Sequence, residues 1–194
     1  MGTPRKKGAK KPRHTIEVVE ATPYFDMEQF MMLSQSKRLE AKELELADRM
    51  FARWKDHLHI RRIQAAGETF LLVWLDKFVE DEVNATWESS PSQSFILNSL
   101  AQAILMAAVR EQLPHVATEG CAPVPRPSRA LREALEETGV RWEEHATLSR
   151  QYAMLTPMDS GSGCGGCFLK SECPKMTLGE MFQGEIPGAT PDES

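Results

Sequence analysis

The chain has 194 residues, 41% of them hydrophobic, with four cysteines and a formal net charge of −5. That length and apolar content provide for one solid core and at most a small appended module, and the unremarkable charge content excludes the strongly biased compositional classes. The charge is uneven: six of the 23 Lys and Arg lie in residues 1–13, which hold no acidic residue, leaving 17 against 28 acidic residues elsewhere.

The first segment, "MGTPRKKGAKKPR", is followed by no apolar run and so does not read as a secretory signal. Residues 1–15 are expected to be a disordered basic arm. Its Arg5, Lys6, Lys7, Lys10, Lys11 and Arg13 either solubilise the chain or contact phosphates of a nucleic acid, or an acidic protein partner, without reading sequence. After it, "HTIEVVE" is a short β-prone or extended lead-in.

Helical signals then dominate. Asp26 with Gln29 three residues on is a capping-box pattern before "FMML". Leu39, Leu46, Ala47, Met50, Phe51, Trp54 and Leu58 recur at helical spacing with charged residues between them, predicting an amphipathic helix from Leu39 to Leu58. Gly67 interrupts, and "TFLLVWLDKFVEDEVNATW" resumes the helical pattern, although Phe70–Leu75 alone also suits a buried strand. Ser90 and Pro91 open the next helix, which runs to about Leu113, apolar nearly all round and hence central in a bundle. Its run Phe95–Val109 carries Asn98, Ser99 and Gln102 and reads as too short and too polar to span a membrane, so a cytoplasmic location is expected. "CAPVPRPS" (121–128) is a loop, Ser128–Thr138 a short helix stopped by Gly139, and "WEEHATLSRQYAML" another helix. The expectation is a mainly α fold. A helical bundle spans 22–155, a cysteine-rich metal-binding segment (156–180) folds back on the Cys121 loop, and a disordered tail covers 181–194.

In "SGSGCGGCFLKSECPK" the cysteines Cys164, Cys167 and Cys173 stand in a C-x2-C-x5-C pattern, with Cys121 upstream. A reducing cytosol does not favour a disulfide framework, and four soft thiolates are the number that a tetrahedral metal or a cubane cluster requires. Gly165 and Gly166 allow the backbone to wrap toward the sulfurs, and Phe168 and Leu169 are placed to shield them. Structural zinc sites usually combine two short ligand pairs, and the second pair is missing here. Three clustered cysteines, the last followed by Pro174, point instead to a [4Fe–4S] cluster, with Zn as the alternative. His115, six residues before Cys121, is the substitute ligand.

A distant Cys followed by C-x2-C-x5-C-P near the C-terminus resembles the iron–sulfur staple of RecB-type nucleases, including CRISPR-adaptation exonucleases and AddAB-type helicase–nucleases. The resemblance implies a cluster that ties the end of the chain to an earlier segment. It does not extend to the nuclease. The sole counterpart of the catalytic Asp and E-x-K is Asp26 with Glu40-Ala41-Lys42, on helical patterns and ahead of every cysteine. There is no G-x4-G-K-[ST], G-x-G-x-x-G or G-x-S-x-G, and no catalytic residue is assigned.

His57 and His59 read as a surface pair at a helix end facing different ways, and His145 lacks a nucleophile partner. Trp54, Trp74, Trp87 and Trp142 read as core anchors, not a stacking platform, and Met27, Met31 and Met32 as core gap-fillers or, alternatively, a partner-facing patch. The functional expectation is therefore a small iron–sulfur protein with a mainly structural cluster. The alternatives are a redox-active or redox-sensing cluster, with Lys170 and Lys175 tuning it, and a zinc-stapled interaction protein.

Overall fold

The computed structural model describes residues 13–20, 22–119, 121–158 and 167–173. Its centre is the run Phe70–Leu75, whose six side chains are all buried. Alternate residues face opposite ways along a strand. Phe70, Leu72 and Trp74 accordingly pack into one apolar cluster, and Leu71 and Val73 into another. A strand covered on both faces shows continuous apolarity instead of alternation.

That strand belongs to an antiparallel sheet of β1 (His14–Val18), β2 (Leu58–Ala65), β3 (Glu68–Leu75) and β4 (Ala153–Pro157), in the order β1-β2-β3-β4. The all-α bundle is thereby overturned: the fold is mixed α/β. Three segments account for the correction. Phe70–Leu75 satisfies helical spacing by being apolar throughout. The Leu39–Leu58 helix stops at Trp54, a 3-10 turn covers Lys55–His57, and the chain enters β2. The segment expected as a helix over "WEEHATLSRQYAML" instead holds an isolated Trp142–Leu148 bridge, a 3-10 turn at Glu144–Ala146 and the start of β4. His14 and Thr15, assigned to the arm by sequence, pair with Ala65 and Gln64 in the sheet.

The β2–β3 connection is a two-residue hairpin loop. Ala66 and Gly67 have φ of 55° and 88°, the left-handed pair that a tight turn requires. No atom lies within 4 Å of where a Gly67 Cβ would sit, so space is not limiting. Gly67→Ala should therefore cost about 1–2 kcal/mol through backbone conformation alone, measured by urea unfolding.

The helices are α1 (Met27–Leu33), α2 (Ala41–Trp54), α3 (Lys77–Ser89), α4 (Pro91–Gln112), α5 (Pro114–Glu119) and α6 (Arg129–Glu137). Asp26 caps α1 by accepting from the Gln29 N–H at 2.9 Å, and Ser128 caps α6 by accepting from Leu131 N–H at 3.2 Å. Leu131, Ala134 and Leu135 of α6 cover one face of the sheet, and Leu105, Ala108 and Val109 of α4 cover the other. Beyond the sheet, α4 packs with α1, α2 and α3 around Phe30, Trp54, Val79 and Leu100. It is the central helix that the sequence predicts. Its 22 residues are long and apolar enough to cross a membrane by length and composition alone, and 67% of that window is buried within the fold. Tyr152, just before β4, donates its hydroxyl to Asn98 Oδ1 on α4 at 3.0 Å. Burial, and then the nearby Glu80 carboxylate, push that hydroxyl's pKa well above its ordinary value, so it stays a donor.

Candidate functional site

Between α5 and α6 the chain runs through Cys121-Ala122-Pro123-Val124-Pro125. Pro123 and Pro125 are buried, so this loop lies against the fold, with Cys121 half-buried at its start. The C-terminal cysteine segment returns to it. The Phe168 N–H donates to the Val124 carbonyl at 2.8 Å. Directly after, Lys170 N–H reaches Cys167 O at 3.3 Å and Glu172 N–H reaches Leu169 O at 3.0 Å, closing the 3-10 turn Lys170–Glu172. Cys167 and Cys173 flank that turn and are half-buried. Ala122 and Val124 also wall a cavity of about 420 Å³ with Trp142, Leu148, Ala153 and Met154, so the loop bridges the C-terminal segment and the edge strand β4.

The donor chemistry suits a thiolate-ligated centre, but the geometry does not assemble one. Among the described residues no three His, Cys, Asp or Glu side chains converge on a metal-sized point, Cys121, Cys167 and Cys173 included. Cys164 lies outside the described residues. The metal-binding character expected from the spacing is thus not displayed by the described part of the chain. Phe168, expected to shield the thiols, is 43% exposed. His115 sits half-buried on α5, six residues before Cys121. Arg13 is exposed at the head of β1, whereas Arg5, Lys6, Lys7, Lys10, Lys11 and Lys175 lie outside the described residues.

No family model, curated protein or solved structure matches this chain. The similarity to RecB-type nucleases therefore rests on the cysteine spacing. The would-be catalytic residues serve the fold: Asp26 caps α1 and pairs with Arg110 at 3.4 Å, and Glu40 N–H bonds the Glu43 side chain at 2.9 Å to start α2.

A second constellation involves a residue that sequence reading passed over. Asp76, between β3 and α3, holds both histidines: Oδ2 lies 3.0 Å from His57 Nδ1 and Oδ1 lies 2.8 Å from His59 Nε2. Asp76 stands at the N-cap position of α3, yet its side chain makes no cap bond there. The two rings do not diverge at a helix end, as expected, but meet at one carboxylate. The hairpin register explains this. His59 pairs with Trp74, Leu58 pairs with Leu75, and the Asp76 N–H reaches His57 O at 3.1 Å. Recognising the β2–β3 hairpin would have exposed the cluster from sequence.

Burial raises the Asp76 pKa, but hydrogen bonds from His57 and His59 outweigh it and leave the value below its ordinary 3.8. A carboxylate depressed in the folded state contributes stability that is fully present above the unfolded value and lost as pH falls through the folded one. Asp76→Asn should therefore flatten the acid limb of the stability profile below about pH 4. The Asp76 carboxyl resonance should titrate below 3.8 and return toward it in His57→Gln/His59→Gln.

Proposed function

We propose that the chain is a small α/β protein in which Cys121, Cys164, Cys167 and Cys173 hold one [4Fe–4S] cluster with a structural task. The hydrogen bond from Phe168 N–H to Val124 O carries this reading, because it brings the C-terminal cysteine segment back to the Cys121 loop. Such a cluster supplies four metal–thiolate bonds, which would fasten the C-terminal segment to a loop that the Phe168–Val124 backbone bond already joins. The protein's own part is to present the thiols: buried Pro123 and Pro125 seat one loop, and the Lys170–Glu172 turn spaces Cys167 from Cys173. Assembly requires the three described thiols and Cys164 to close on one another.

The test is the full chain purified without air. A brown protein absorbing broadly near 400 nm, with about four iron and four sulfide per chain, is expected. A colourless protein with about one zinc would replace the cluster by a zinc staple. A chain free of both metals, from cells supplied with both, would overturn the proposal.

A further inference from the structure

The Asp76 cluster is the middle of a longer row in which every neighbour touches the next. The Arg53 guanidinium lies 5.0 Å from the Phe78 ring centre, and Phe78 lies 4.7 Å from the His57 ring. His57 and His59 share Asp76, His59 stacks on Trp74 at 4.9 Å and 26°, and the Arg61 guanidinium lies 5.4 Å over Trp74. Trp74 itself is buried, a core anchor as the sequence predicts, and carries His59 and Arg61 against its ring. Phe78 and the His57 side chain are each 36% exposed, His59 31% and Arg53 55%. Opposite Arg61 in the sheet, Val18 on the edge strand is 66% exposed, so this end of the face lies outside the cover of α6.

Charge selects the ligand class. Arg53 pairs with Glu82 at 2.7 Å, Lys77 pairs with Asp81, and Asp76 stands in the middle of the row. Arg61 makes no ion pair among the described residues and is the row's uncompensated cation. A surface so balanced attracts a polyanion weakly, and an acidic peptide offers nothing to its rings. What it does offer is a series of planar π-faces, on which unstacked bases pack whatever their sequence. We propose that the row Arg53–Phe78–His57–His59–Arg61 is a contact for single-stranded nucleic acid, in which bases stack on the planar groups and Arg61 takes a phosphate. Duplex is excluded because its bases are not free to stack. The contact is independent of the cysteine site and of the basic arm.

The test is fluorescence anisotropy of the full chain with labelled oligo(dT) and with an abasic strand of equal length, which keeps the phosphates and lacks the rings. The base-bearing strand should bind about tenfold or more tightly. Arg61→Lys/Phe78→Leu keeps charge and apolar bulk but removes two planes, and should erase that preference while leaving abasic binding unchanged. Deleting residues 1–12 should make the salt dependence shallower, down to about one phosphate, and keep the preference. Equal binding of abasic and base-bearing strands by wild type would overturn the proposal. So would a preference that survives the double variant or disappears with the arm, or duplex or poly-glutamate bound as tightly as oligo(dT).

Discussion

Trp54→Ala is expected to lower the free energy of unfolding by about 3–5 kcal/mol, a large share of the roughly 5–15 kcal/mol that a domain commands. Trp54 is fully buried and packs in the cluster that joins α1, α2, α3 and α4 through Phe30, Val79 and Leu100. Its indole Nε1 donates to Glu82 Oε2 at 2.7 Å, and the other oxygen of that carboxylate holds Arg53 at 2.7 Å. Alanine removes the ring, leaves a cavity and deprives Glu82 of one donor. Trp54→Phe separates these effects. It keeps most of the packing and loses the hydrogen bond, so about 1–2 kcal/mol is expected, with Glu82 still paired to Arg53. Urea unfolding of the three proteins checks both values, and a loss below about 1 kcal/mol in Trp54→Ala would contradict this account of the core.

Cys121→Ser is expected to cut the metal content of anaerobically purified protein to a small fraction, as severely as Cys167→Ser or Cys173→Ser does. A serine hydroxyl keeps its proton near neutral pH and is a poor ligand for soft metals, so the change removes a ligand without removing bulk. The circular dichroism should change little, because the sheet and α1–α4 are built from residues ahead of Cys164 and their clusters include no cysteine. If Cys121→Ser kept full metal and His115→Ala lost it, the fourth ligand would be the half-buried imidazole on α5.

The helices with polar faces were legible in the sequence. Asp26, Ser90-Pro91 and Ser128 mark starts where helices begin, and the near-uniform apolarity of Phe95–Val109 signals the centrality of α4. The sheet was not. β3 is buried on both faces and so lacks the two-residue alternation that distinguishes a strand, while β2 mixes Arg61 and Arg62 with Ile60 and Ile63 in no clean period. Its decisive local sign was Ala66-Gly67, where Gly67 reads equally as the end of a helix and as a hairpin turn. Because the hairpin was missed, so was Asp76, since nothing in the linear order joins it to residues 17 and 19 positions earlier. The cysteine spacing suggested a return of the C-terminal segment to the Cys121 loop, and the Phe168–Val124 bond is the feature that supports it. Spacing cannot show convergence on a metal, and the described residues do not show it either.

The most direct test of the cysteine staple is the alkylation rate of each thiol in native, anaerobically purified protein, followed residue by residue by mass spectrometry. A shared cluster protects all four together, so Cys121, Cys164, Cys167 and Cys173 should resist the reagent and become reactive in step when a chelator or acid strips the metal. Independent alkylation of Cys121 at full metal content, with the other three still protected, would contradict it.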